Sequence, residues 1–247
     1  MKLAAFSVLA AAALLTACAA PSSSHHAAWG YTGNGAPEHW AQLSSDYSTC
    51  NGKNQSPINL TGFLKAELAP LKPQYTAGGQ EILNNGHTIQ VNFTPGSQLV
   101  VDGTVFELKQ FHLHAPSENL INGKSFPLEN HLVHADKNGN LTVLAIMYEE
   151  GAESAALAQF WSQSPKKGGD KAALSAPVNA ASLLPAKLDY YRFNGSLTTP
   201  PCSEGVRWLV LKQPVTASKA QIAAFTSLMG GNNNRPVQPV NARPVLQ

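Results

Sequence analysis

Alternation of apolar and polar residues is clearest in the middle of the chain. "TIQVNF" (88–93) alternates residue by residue, the period of a strand with one buried face. "QLVV" (98–101) and "TVFELKQFHLH" (104–114) face each other across Asp102-Gly103, a turn pair. "LENHLVHAD" (128–136) and "LTVLAIMYEE" (141–150) flank "KNGN", where Asn138-Gly139 supplies hairpin chemistry. "GVRWLVLK" (205–212) reads as a further strand. Helical periodicity is confined to Ala152–Ser162 and to Ser218–Met229, the second with Ser218 as N-cap. Pro236, Pro239 and Pro244 place the end of the chain in loops. The pattern predicts a β-dominated α+β fold: a single domain with a large, twisted, mostly antiparallel central sheet and a few short peripheral helices. No βαβ repeat is legible.

The first residues follow a different pattern. Met1-Lys2 gives a positive start, and Leu3 to Leu15 is a run in which Ser7 is the polar residue. The run is too short to span a bilayer and has the form of a secretory signal. It ends in "LTAC" (15–18), which resembles the bacterial lipobox, with Cys18 lipidated; ordinary cleavage at "ACA" is the alternative. Residues 1–18 are therefore expected to be a signal peptide of lipoprotein type. Residues 19–28 form a flexible tether in which His25 and His26 are filler, and 29–247 form one domain with room for a substantial core. The expected location is outside the cytoplasm, in the periplasm or cell envelope, with membrane contact only through an N-terminal lipid. The chain has 3 cysteines. If Cys18 carries lipid, Cys50 and Cys202 remain as a pair, either a disulfide in an oxidising compartment or two buried thiols.

Charge narrows the partners. A formal net charge of +2, without a basic run or interleaved aromatic and basic residues, excludes nucleic acid as a partner. The chemistry that remains lies in the histidines. In a strand, residues two apart share a face, so Gln110, His112 and His114 project together. Glu129, His131 and Val133 do the same in the next strand, while His134 takes the opposite, structural face. If the two strands are neighbours, three imidazoles converge. Three neutral histidines leave one tetrahedral position of zinc open, as catalytic sites require. Gln110 and Glu129 are placed to accept the second N–H of a ligand histidine.

"HLHAPSE" also fits the His-x-His-x3-Glu pattern of cupin barrels, with Glu118 as a ligand. The glycines of the cupin motifs are not at their places, and "PLENHLVH" has no proline-x-glycine lead. The C-terminal half points elsewhere. "NGSLTTPPCSEGVRWLVLK" (194–212) resembles the segment that covers the zinc in alpha-class carbonic anhydrases. "WGYTGNGAPEHW", "KNQSPINL", "NNGHTIQVNF", "QFHLH", "ENHLVHAD" and "NNRPVQPVNAR" match the same family in its order, from Trp29 onward.

The resemblance implies a lyase that hydrates carbon dioxide by zinc-bound hydroxide, with one Zn2+ per chain held by His112, His114 and His131. It implies that Thr198 accepts a hydrogen bond from the hydroxide and donates its own proton to Glu118, which is then no ligand. Thr199 would meet bicarbonate, and Val133, Val143, Leu197 and Trp208 would line the carbon dioxide side. His87 would be the proton shuttle, with Tyr31, Asn85 and Gln90 along its solvent path. Cys50 and Cys202 match a pair that is a disulfide in many secreted members. A monomer or a homodimer fits the family. Ala115-Pro116 departs from the aromatic residue and glycine that many animal members carry after the second ligand, so Glu118 aligns through altered spacing. A non-catalytic zinc-binding or partner-binding protein on the same fold is the remaining alternative.

Overall fold

The computed structural model describes residues 28–247. The leader, Cys18, His25 and His26 lie outside the described residues. Within them, no helix is long and apolar enough to cross a membrane.

The dominant element among the described residues is an 11-stranded sheet. Its main path runs Lys171–Val178, Gly79–Asn84, Ile89–Phe93, Thr104–His114, Leu128–Ala135, Leu141–Glu150, Glu204–Leu211, Tyr190–Ser196. Neighbours on this path are antiparallel, except that Leu141–Glu150 and Glu204–Leu211 run parallel. Gln98–Val101 pairs with the start of Thr104–His114 across the Asp102-Gly103 turn, as the alternation predicts.

Period-two patterning divides the core between the two faces. Phe111, Leu113, Leu132, Leu144 and Ile146 pack on one face with Leu157, Phe160 and Phe225 of the two covering helices. Val143, Ala145, Met147, Trp208 and Val210 pack on the other with Ile58, Leu60 and Phe126. The middle strand, Leu128–Ala135, is therefore buried on both faces. Its polar side chains Glu129, Asn130, His131 and His134 are each at most 1% exposed. Buried polar groups need partners, and those around Glu129 and His131 belong to the site, whereas His134 pairs with Tyr75 on the other face.

The first helix starts at Ala155 rather than Ala152, because the Ser154 hydroxyl accepts from Leu157 N at 3.3 Å and caps it. The second is Lys219–Leu228, with Ser218 and Gln221 closing a capping box. The strands Gly79–Asn84, Lys171–Val178 and Tyr190–Ser196 carried no clear sequence signal. Lys171–Val178, "KAALSAPV", is a mostly exposed edge strand in which only Leu174 and Val178 reach the core, so it lacks the apolar alternation that burial imposes.

Cys50 and Cys202 are joined by a disulfide, with Cα atoms 4.9 Å apart and a sequence separation of 152. This decides between a bridge and two thiols. Closing a loop of that size contributes on the order of 5 kcal/mol in the chain-entropy model. A disulfide also fits an oxidising compartment and hence export.

Candidate metal centre and active site

Strand register builds the centre. His112 lies directly opposite His131, and His114 opposite Glu129. The three imidazoles gather with ring centroids 5.0 Å (His112–His114), 5.3 Å (His112–His131) and 4.6 Å (His114–His131) apart. One ring nitrogen from each can be chosen so that all lie within 4.8 Å of one another.

The nitrogen that faces away has a polar neighbour in every case, hydrogen-bonded at His112 and His114 and only close by at His131. His112 Nδ1 bonds to Gln110 Oε1 at 2.8 Å. His114 Nδ1 bonds to the main-chain oxygen of Asn233 at 2.8 Å. His131 Nε2 lies 2.9 Å from Glu129 Oε1. What remains toward the centre is Nε2 of His112 and His114 and Nδ1 of His131. Glu129 is fixed in turn by the main-chain N–H groups of Glu118 (2.7 Å) and Asn119 (2.9 Å) and by the Asn119 amide (2.7 Å). Such outer bonds set the tautomer and the aim of each ring.

Burial pushes His112 and His131 well below the ordinary imidazole value, and the neighbouring rings push them further. Burial also lowers His114, against the hydrogen bond to Asn233. Three neutral imidazoles are the form in which histidine binds a metal. His114 Nε2 is buried without a hydrogen-bond partner, as is Glu118 Oε2 3.5 Å away. Neutral nitrogen donors at one point, with the outer nitrogens of His112 and His114 hydrogen-bonded and that of His131 beside the Glu129 carboxylate, fit zinc and leave room for a fourth ligand.

Glu118 sits behind the histidines rather than among the donors. Its Oε1 accepts from Arg235 N at 2.8 Å, and the Thr198 hydroxyl donates to the same carboxylate. Burial raises its pKa to about 8, opposed by those two bonds. Burial likewise raises Glu129, against the donors from Asn119 and Glu118. Thr198 is 5% exposed. The loop bearing it is tied down where Cys202 N donates to Thr199 O at 2.8 Å, beside the disulfide.

An apolar wall adjoins the centre, again through register. Val133 pairs with Val143, and Val143 with Trp208, across three neighbouring strands. Leu197 packs in the same cluster, and the Trp208 ring stands edge-on to His131 at 4.9 Å. On the other side a cleft of about 110 Å3 is lined by Tyr31, Asn85, His87, Gln90, Gln110, His112, His114 and Thr199 among others. Trp29 stacks on His87 with centroids 3.6 Å apart and planes within 9°. Burial lowers the His87 pKa and raises that of Tyr31, with the Glu118 charge adding to the latter.

Every described site residue expected from the sequence thus lies in this region. Sequence reasoning missed Asn233, Arg235, Asn119 and Trp29. Arg235 is 2% exposed, and its guanidinium donates to Gln55 Oε1 (2.8 Å), Ser56 O (2.8 Å) and Cys50 O (3.0 Å). A buried, charged arginine needs such partners, here made by its two terminal nitrogens while Nε has none, and "NNR" alone carries no sign of it.

A sheet with a three-histidine centre, an apolar wall and a polar outlet defines a hydrolytic or lyase-type metal site. A family model described as eukaryotic-type carbonic anhydrase matches residues 35–247. A carbonic anhydrase from Pectobacterium carotovorum is 52% identical over 239 residues, covering 96% of this chain and 98% of the relative. One from Neisseria gonorrhoeae is 48% identical over 241 residues, covering 96% and 95%. The solved complex of the alpha-carbonic anhydrase of Thermovibrio ammonificans with the inhibitor sulfanilamide superposes with a TM-score of 0.88 at 51% identity, over 90% of this chain and 99% of that one. The chain belongs to the eukaryotic-type, or alpha, carbonic anhydrase family. It is a lyase that reversibly hydrates carbon dioxide to bicarbonate and a proton.

Proposed function

We propose that His112, His114 and His131 hold one zinc ion per chain and that the residues around them divide the reaction into binding, orientation and proton export. The observation that carries this reading is the convergence of three neutral imidazoles whose outer nitrogens face Gln110, Asn233 and Glu129. A zinc ion there supplies Lewis acidity, which brings the pKa of a water molecule from 15.7 to about 7.

The chain does the rest. With Glu118 ionised, which a zinc charge beside it would favour, the Thr198 proton goes to Glu118 and only lone pairs of the Thr198 oxygen face the centre. Thr198 can then accept a hydrogen bond from the nucleophile but cannot donate one, which turns the nucleophile's free lone pair toward the substrate. Arg235 N holds the Glu118 carboxylate in place for this. Val133, Val143, Leu197 and Trp208 offer carbon dioxide an apolar wall, where a dissolved apolar gas is favoured over water. Thr199 meets bicarbonate with its main-chain N–H or hydroxyl. His87 takes the product proton along the cleft lined by Tyr31, Asn85 and Gln90 and passes it to buffer.

The leader belongs to the same reading. Residues 1–18 direct export, Cys18 carries a lipid, 19–28 form a tether, and 29–247 form the catalytic domain, as monomer or homodimer. The test is carbon dioxide hydration by stopped-flow pH indicator, with zinc quantified in the same sample. About one zinc per chain and activity lost to a chelator are expected. Stoichiometric zinc without hydration would instead favour a non-catalytic zinc protein.

A further inference from the structure

Asn233 is where the metal strand, the relay turn and the C-terminal segment meet. It is 2% exposed. Its main-chain oxygen accepts from His114 Nδ1 at 2.8 Å, and its side-chain Oδ1 accepts from Ala115 N at 2.8 Å. Its Nδ2 donates to the main-chain oxygens of His87 and Leu113, each at 3.0 Å. Both amide hydrogens and the amide oxygen are thereby used, leaving the side chain a single orientation.

The two carbonyls belong to different elements. His87 sits in the turn between the strands Gly79–Asn84 and Ile89–Phe93, and Leu113 lies between the ligands His112 and His114. The turn is closed locally by its own asparagines. Gly86 N donates to Asn84 Oδ1, and His87 N and Thr88 N donate to Asn85 Oδ1, all at 2.9 Å. Those bonds shape the turn but do not say where it sits over the centre. The Asn233 amide supplies that placement at His87. One residue further on, the Thr88 hydroxyl bonds to the same Leu113 oxygen at 2.6 Å.

We propose that the Asn233 side chain is a positioning residue that fixes the His87 turn against the strand bearing the metal ligands, so that relay and metal centre keep one separation. The proposal rests on the relay reading of His87. It divides the work of one residue: the main-chain oxygen serves His114, while the side chain serves proton export.

Asn233→Asp tests this division on the zinc-loaded full chain. The substitution keeps Oδ1 for Ala115 N and removes the donors to His87 and Leu113. Turnover (kcat) in weak buffer is expected to fall about five- to tenfold, the worth of the one buried hydrogen bond that reaches the His87 turn. Imidazole should restore it, and kcat/KM should stay within about twofold, because hydration itself precedes proton export. Amide hydrogen exchange at His87 and Thr88 should quicken, while zinc loss to a chelator should not. Unchanged weak-buffer turnover would overturn the proposal. So would a parallel fall in kcat and kcat/KM with faster zinc loss, which would make Asn233 a support of His114 alone. His87→Ala is measured beside it. If that variant loses nothing in weak buffer, the relay reading itself fails, and the exchange rates then decide whether Asn233 places the turn. Asn233→Ser, read in the same way, serves if the aspartate variant does not fold.

Discussion

His131 and His134 lie three residues apart on one strand and are equally buried, at 1% and 0% exposure, yet they do opposite things. His131 faces two other imidazoles with its outer nitrogen against Glu129. His134 faces the apolar side of the sheet, where its Nε2 bonds to the Tyr75 hydroxyl at 2.8 Å and the two rings stack. Burial lowers the pKa of both. A depressed imidazole is therefore not the mark of a site. The mark is convergence: several donors aimed at one point.

The sharpest way to break the comparison is to remove each ring. His131→Ala should abolish zinc retention and hydration while the sheet still folds. His134→Ala should keep about one zinc per chain and near-normal kcat/KM but destabilise by about 2–4 kcal/mol, since it leaves a cavity and an unpaired Tyr75 hydroxyl. Zinc content, kcat/KM and thermal midpoint on the two variants check the contrast. A His134 variant that loses zinc would erase it.

Thr198→Ala probes the same divide one layer out. Zinc should stay, because Thr198 is no ligand, and kcat/KM should fall about a hundredfold or more, as when an oriented hydrogen bond at a reacting group is lost. Unchanged kcat/KM would remove Thr198 and Glu118 from the orienting role together.

How much of this contrast could be read from the sequence follows the range of the contacts. Alternation within Thr104–His114 and Leu128–Ala135 assigned His112, His114 and His131 to one face and His134 to the other, because a strand's faces are set by local geometry. The Asp102-Gly103 and Asn138-Gly139 hairpins were legible for the same reason, but the pairing of the two histidine strands with each other, across residues 115–127, was only a condition of the reading. Asn233 and Arg235 reach their partners His114 and Glu118 across 119 and 117 residues of chain, from a segment without regular structure. No local period announces such contacts. The strand Tyr190–Ser196 was missed, although its partner Glu204–Leu211 was seen within a residue of its bounds. Its run "YYRFNGS" carries polar residues and a glycine where alternation would need a regular apolar face.

Acid separates the two histidines by stability rather than activity. Burial holds His134 at about 4, against an ordinary 6.5. Between those values the unfolded chain binds the proton and the folded chain does not, so stability falls as pH falls from about 6.5 to about 4. The slope is about 1.4 kcal/mol per pH unit, roughly 3 kcal/mol over the window. Denaturation of zinc-loaded wild type and His134→Gln at several pH values should show this component in the wild type and its loss in the variant. Parallel curves would mean that His134 does not titrate with unfolding.

The smallest effect concerns a third histidine, His87, which is half-buried where the other two are fully buried. The ring stacks on Trp29, and burial lowers its pKa. A relay that accepts a proton must be neutral, so a lowered pKa keeps His87 receptive at more acid pH. Trp29→Ala uncovers the ring and should return its pKa toward the ordinary value. The acid limb of kcat in weak buffer should then move to higher pH, with turnover near pH 6 falling about threefold or less and kcat/KM unchanged. Were the limb to stay put while turnover dropped at every pH, Trp29 would be holding the position of His87 and not its proton affinity. The stack would then belong with the Asn233 amide as a positional device.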